Sequence, residues 1–397
     1  MSSTDALLGE IIKPATLRRA GTEELPILSM TMREGLVDQA DKFKKRVASA
    51  DTSAYRVVDR GQLVVGFPID EGVLSFQRLY DSAIVSPAYD IWELVDPDLV
   101  SRDYLEYFLR SPRALRYYRA KLQGSTARRR SLPRDIFLAL PVPMPPLGEQ
   151  KRIAAVLDQV DTLRAKRREA ISLLGNLAQS VFLDMFGDPA RNPLGWPLGK
   201  VGDLLISANY GSSAKADAEG DVPVLRMNNI TTSGDLDMRD LKYLSSEQVS
   251  EKHLVRAGDV LFNRTNSAEL VGKSAIYRLP EEVAYAGYLV RLRVSEGNHP
   301  EYLAAFLNSQ YAKRVLRSMS KSIVGMANIN AKEVQSIKIP IPPLAEQKRF
   351  ASVITQVEAA KEPHRTHLAT LDELFTSLQH RAFSGALWDH EAAGEAA

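Results

Sequence analysis

Apolar positions along this chain follow two alternating rhythms. Short apolar runs bounded by Gly, Pro, Asp or Ser come first: Leu25-Pro26-Ile27-Leu28, Tyr55-Arg56-Val57-Val58, Gln62-Leu63-Val64-Val65-Gly66-Phe67 and Ser82-Ala83-Ile84-Val85. Runs of this kind predict strands. From Leu99 to Arg119 the period lengthens, and Leu105, Phe108, Leu109, Leu115 and Tyr118 recur at helical spacing. Pro141, Pro143, Pro145 and Pro146 then impose extended backbone and end the segment. One long helix is predicted over Leu147–Phe186. Ile153, Val156, Val160, Leu163, Arg167, Ala170, Leu174, Leu177 and Val181 alternate by three and four along it, a heptad seam with one polar interruption. Its length corresponds to about 60 Å of helix, and Gly187-Asp188-Pro189 stops it.

The succession then starts again. Val222-Pro223-Val224-Leu225-Arg226, Asp259-Val260-Leu261-Phe262 and Leu289–Val294 predict strands, and Glu301–Leu316 predicts helix. Ile337–Pro342 closes the segment, and a second long helix is predicted over Leu344–Phe383. Its seam holds Phe350, Val353, Val357, Ala360, His364, His367, Leu371, Leu374 and Leu378. Pro363 lies inside and predicts a bend, with the apolar pattern resuming in phase behind it. The repetition is almost unchanged at one place. Pro145-Pro146-Leu147-Gly148-Glu149-Gln150-Lys151-Arg152 returns 197 positions later as Pro342-Pro343-Leu344-Ala345-Glu346-Gln347-Lys348-Arg349. That period is far longer than a solenoid repeat, so a whole domain plus its connector is duplicated.

These elements predict a mixed α+β chain. Residues 1–146 and 188–343 form two globular segments, 147–187 and 344–385 are long connectors, and 386–397 is a small acidic tail expected to fray. A long amphipathic helix gains its stability by burying its apolar face. The two connectors are therefore expected to pack on each other, antiparallel if the duplication is pseudo-twofold. Ile153, Val156, Val160, Leu163, Leu174 and Leu177 would face Val353, Val357, Leu371, Leu374 and Leu378, with Arg167 and His364 meeting near the middle.

Composition narrows the chemistry. The 397 residues include no cysteine, which excludes thiolate metal sites, iron–sulfur clusters and a Cys nucleophile. The first residues lack a basic stretch followed by an apolar core, and no apolar run reaches 18 residues, so a cytoplasmic protein without a membrane span is expected. Net charge is only +2, from 51 Lys and Arg against 49 Asp and Glu. Nucleic-acid binding must therefore come from local charge. Two stretches supply it. Tyr107–Arg134 has no acidic residue and carries Arg110, Arg113, Arg116, Arg119, Lys121, Arg128, Arg129, Arg130 and Arg134. Ala305–Lys332, equally free of acids, carries Lys313, Arg314, Arg317, Lys321 and Lys332, with Asn328 and Asn330. Lys and Arg neutralise phosphates, and Arg and Asn pair with base edges through two bonds. Arg226, Asn228, Asn229, Arg264 and Asn266 are further candidates, though Asn-rich turns are often only turns.

Catalytic patterns are weak. Val271-Gly272-Lys273-Ser274 ends like a phosphate-binding loop, but Ser267 stands where its first glycine belongs. Glu149-Gln150-Lys151 and Glu346-Gln347-Lys348 have the Glu-x-Lys form of many nucleases, yet they open helices and suit a first-turn role. His364 and His367 lack the partners of a metal site.

The doubled Pro-Pro-Leu-x-Glu-Gln-Lys-Arg, each copy opening a seam helix, resembles the specificity subunits of type I restriction-modification enzymes. So does the run from Gly325-Met326-Ala327-Asn328-Ile329-Asn330 through Ile337 and Ile339 to Pro340-Ile341-Pro342-Pro343. The resemblance covers about residues 10–385. It implies two target-recognition domains, each reading half of a bipartite, asymmetric site in double-stranded DNA, and a coiled-coil spacer that docks two methyltransferase subunits. It implies no catalysis and no cofactor in this chain, with S-adenosylmethionine bound by the partner and endonuclease/translocase subunits as further candidates. In the first domain Gly124–Ser131, rich in arginine, replaces the Asn-rich loop, so phosphate contacts are expected to dominate there. Two other readings compete. A self-contained nuclease or methyltransferase needs motifs that are missing, and a protein-binding scaffold would not lose affinity steeply as salt rises.

Overall fold

A computed structural model of the chain describes residues 5–32, 34–42, 51–122, 132–267, 270–319, 321–323 and 326–385. The chain forms two compact units. One takes residues up to Lys166 together with those from Leu368, and the other takes Arg167–His367. The cut passes through both long helices, which run over Leu147–Phe186 and Leu344–Ser384. The acidic tail lies outside the described residues.

In the first unit a four-stranded antiparallel sheet has the order Ile12–Pro14, Asp90–Leu94, Leu63–Val65, Leu74–Phe76. The predicted helix over 99–119 is two helices, Arg102–Leu109 and Pro112–Lys121. The break falls at Ser111-Pro112, where Ser111 caps the second helix and the proline suits its first turn. The second unit repeats this plan. Its sheet has the order Leu205–Tyr210, Leu289–Val294, Val260–Asn263, Ser274–Ile276, and its helices are Pro300–Asn308 and Gln310–Met319. A further four-stranded mixed sheet joins Val222–Leu225 to Val283–Tyr285 in parallel.

Each unit fastens its globular part to a long helix through the same residue. Gln150 is buried; its Oε1 accepts from the Ser101 N–H at 2.9 Å, and its Nε2 donates to the carbonyls of Leu99 and Pro145. Gln347, one repeat later, is also buried. Its Oε1 accepts from His299 N–H at 2.8 Å, and its Nε2 donates to Asn298 Oδ1 and the Pro342 carbonyl. Ser101 and His299 are the N-caps of the helices that follow. The amide thus ties one helix start to another.

Within each unit the two helix segments run antiparallel. In the first, Ile153 and Leu157 share a core with Ala382 and Phe383, while Arg164 reaches Asp372 at 2.6 Å and lies 4.3 Å from the Phe375 ring centre. In the second, Phe182 and Phe186 pack on Phe350, and Arg167 Nη1 lies 3.4 Å from His364 Nδ1. The expected polar meeting of Arg167 and His364 is present.

The phase of the seam differs from expectation. Ile153, Val160 and Val357 are buried, and Leu174, Leu371 and Leu378 are half-buried, but Leu163, Leu177 and Leu374 are 42%, 46% and 44% exposed. Val156 and Val353 are only half-buried. The inward row steps by four and then three, not three and then four, and so uses Leu157, Arg164 and Ile171 in the first helix and Ile354, Lys361, Leu368 and Phe375 in the second. Two of those positions are charged and matched: Arg164 by Asp161 and Asp372, Lys361 by Glu358 and Asp235. The second helix also stays continuous through Pro363. Pro363 and Ala359 are both exposed, so the proline lies on the outward face of the helix, where the donor it lacks is not taken from a buried bond.

Candidate nucleic-acid interface

In the second unit, chain segments about 60 residues apart meet in a small sheet. Thr265–Asn266 pairs antiparallel with Met326–Asn328, which pairs with Lys321–Ile323. The register sets Thr265 opposite Asn328. Arg264 leads into this sheet with its backbone held at both ends: its N–H donates to the Tyr288 carbonyl, and its carbonyl accepts from the Ile329 N–H. Its guanidinium lies over the Tyr210 ring, 4.8 Å from the centre, and Nη2 donates to Asn328 Oδ1 at 3.0 Å. Arg264 Nε is buried with no partner in the structure. The Tyr210 hydroxyl accepts from the Ala331 N–H at 2.9 Å, which fixes the ring under the arginine. An open cavity of about 520 Å³ adjoins it, lined by Tyr210, Asn330, Lys332, Glu333 and Gln335 among others.

The candidates divide according to what their side chains already touch. Asn328, Asn330 and Lys332 are exposed around this cavity and Arg264. Asn330 also caps the helix Ala331–Gln335, accepting from Glu333 N–H while the Glu333 carboxylate accepts from Asn330 N–H. Asn266 is half-buried, with Oδ1 accepting from Ser267 N–H. Lys321 contributes a backbone position to the small sheet. Asn228 is exposed, but its neighbours build a loop. Asn229 is buried, with Oδ1 on Arg226 N–H and Nδ2 on the carbonyls of Asp237 and Asp240. It is a loop-closing residue and leaves the candidate surface. Arg226 gives Nη2 to the Asp240 carboxylate at 3.0 Å, so its charge is answered within the protein.

The basic stretches prove only partly superficial. Arg113 donates to Asp5 and to the Phe383 carbonyl, Arg110 to the Met32 carbonyl and Arg119 to the Asp70 carbonyl. Lys313 turns inward, where Nζ donates to Asn308 Oδ1 at 3.0 Å. Burial, with Arg317 and Lys273 nearby, pushes its ammonium down to about 7. In the first unit Lys121 is exposed, and Arg134 pairs with Asp90 beside the Trp92 ring. Arg128, Arg129 and Arg130 lie outside the described residues. Tyr210 was not legible as a site residue. Its only signal is an aromatic side chain between Asn209 and Gly211 at a strand end. Among the described residues no group of three His, Cys, Asp or Glu could hold a metal ion. No helix there is long and apolar enough to cross a membrane.

The family model described as the type I restriction modification DNA specificity domain matches residues 193–373. The EcoKI type I restriction enzyme specificity subunit of Escherichia coli is 28% identical over 267 residues, 62% of this chain and 57% of its own length. The putative MjaX specificity subunit of Methanocaldococcus jannaschii is 27% identical over 206 residues, 50% of this chain and 48% of its own length. The chain thus spans about half the length of the curated relatives it matches. A crystal structure of a type I system S subunit from M. genitalium is 14% identical, with a TM-score of 0.49 and 96% of each chain covered. Residues 193–373 thus match a type I restriction modification DNA specificity domain, and the chain is similar to specificity subunits of type I restriction enzymes.

Proposed function

We propose that this chain is the DNA sequence-specificity subunit of a type I restriction-modification complex and performs no catalysis itself. Residues 1–146 and 188–343 act as two target-recognition domains, each reading one half of a bipartite, asymmetric site in double-stranded DNA. Residues 147–187 and 344–385 set the spacing between half-sites and dock two methyltransferase subunits, with 386–397 as a tail. S-adenosylmethionine binds the partner, and the complex works in the cytoplasm, where endonuclease/translocase subunits are further candidates. Two similar readers at a fixed separation can address one face of DNA a helical turn apart. Their differences, an arginine-rich loop in one and an Asn-rich sheet in the other, would make the half-sites differ.

The observation that carries this reading is the doubled anchor. Gln150 and Gln347 fasten each globular part to its helix by two equivalent hydrogen bonds, to the N-cap N–H and to a proline carbonyl, and a third to a residue just ahead of the cap, as a device that holds each reader firmly on its own helix requires. The family match over residues 193–373 supports it. The test is a genome-wide map of methylated bases in the source organism with and without this gene. Loss of one split, asymmetric motif is expected; a map with every motif intact, in cells that express the partner subunits, would overturn the reading.

A further inference from the structure

We propose that Arg264 is the guanine-reading residue of the second recognition domain, with Tyr210 and Asn328 as its positioning residues. This inference rests on the DNA-reading function proposed above and names a base within it. Several arginines of the second unit end on carboxylates: Arg293 on Asp259 through two bonds, Arg278 on Glu301, Arg256 on Glu251 and Glu282, Arg226 on Asp240. Arg264 is held differently. Its plane rests on a phenol ring and one N–H goes to a neutral amide oxygen. Among the described residues it forms no ion pair, so its charge and the outer edge of its fork remain for a ligand. The nearest carboxylate lining the adjoining cavity, Glu333, accepts from the Asn330 N–H at the helix start.

The geometry also fixes the direction of that edge. Both backbone groups of Arg264 are bonded, its ring support is anchored through Ala331, and Asn328 is held opposite Thr265 in the sheet. An arginine oriented before binding loses little rotamer freedom on binding. Its terminal nitrogens present two donors side by side. Guanine offers two adjacent acceptors, O6 and N7, in the major groove. Adenine replaces one with a donor, and neither pyrimidine has the pair. Lysine could supply the charge but neither the fork nor the stacking plane.

The test maps methylation in cells carrying the whole system with wild-type chain, R264Q, R264K, Y210A and Y210F. The wild-type motif is expected to contain a guanine in one half-site whose discrimination falls about tenfold to a hundredfold in R264Q. R264K is expected to relax the same single position, Y210A to relax it partly, and Y210F, which keeps the ring but loses its hydroxyl anchor on Ala331, to relax it less than Y210A. The other half-site stays intact in every variant. An unchanged motif in R264Q, or a uniform loss over both half-sites with the complex still assembled, overturns the proposal. If R264Q abolishes methylation but R264K retains the full motif, the residue acts by charge alone and the proposal again fails. If deleting the gene removes no motif, the function reading fails first and this inference with it.

Discussion

Gln347 and Lys313 are buried polar side chains with opposite consequences. Gln347 satisfies one N–H and two oxygens at a buried junction. Truncation to Ala strands all three, and a buried polar group left unpaired costs about 1–3 kcal/mol. Gln347→Ala is therefore expected to lower unfolding stability by at least that amount in denaturant titration, whereas the exposed neighbour Lys348→Ala should change it by under about 0.5 kcal/mol. Lys313 is a cost the fold tolerates. Unfolded, its ammonium keeps the proton to the usual 10.5; folded, it releases it near 7. Between those values the unfolded chain binds more protons, so stability should rise with pH from about 7 towards 10 and lie flat below 7. Lys313→Met should remove most of that rise, as thermal midpoints at pH 6.5, 8 and 9 would show. Neither role was legible in the sequence. Glutamine inside Glu-Gln-Lys has no positional rule, so attention fell on Glu149 and Glu346. Lys313 counted as surface charge because charge is visible in a sequence and burial is not.

Element by element, the sequence went further. The long helix Leu147–Phe186 has the bounds its apolar period and terminal glycine predicted, as has the strand Leu289–Val294. What failed was the phase of the seam. The row through Val156, Leu163 and Leu177 is apolar throughout and looks like a better core than one containing Arg164. Periodicity cannot see that Arg164 lies on the Phe375 ring between Asp161 and Asp372, or that Lys361 is enclosed by Glu358 and Asp235. Paired charges at a seam specify register at some expense of stability, and the outer leucines are left in solvent. The two rows make opposite predictions. Leu157, 1% exposed, should cost about 2–5 kcal/mol on change to Ala, while Leu163→Ala should stay within about 0.5 kcal/mol. Equal losses in urea titrations of the two variants would restore the original phase.

For the whole molecule the repeat of 197 positions was the most legible feature, because a motif of eight residues written twice needs no structure to be seen. Less legible was that the first compact unit takes residues from Leu368 onward. Phe375, Leu378, Ala382 and Phe383 belong to its core although nearly the whole chain separates them from Leu8, and sequence reading places cuts where composition changes, not where a returning helix packs. The nearly balanced net charge has a consequence at this scale. On the proposed DNA-reading function, bulk attraction to DNA would be small, phosphate binding would depend on a few local cations, and each contact should be visible in the salt dependence. Log affinity falls with log salt at a slope of about −0.9 per phosphate neutralised. If Arg128, Arg129 and Arg130 each take one phosphate, changing all three to Ala should make the slope shallower by roughly three, weakening binding of the assembled complex most at low salt. Base preference in the second half-site should remain, because phosphate contacts carry no sequence information. Binding of a duplex containing the mapped motif, measured from about 50 to 200 mM salt, checks this. An unchanged slope would remove the three arginines from the interface and leave the proposed first domain to hold DNA through other cations, the exposed Lys121 foremost.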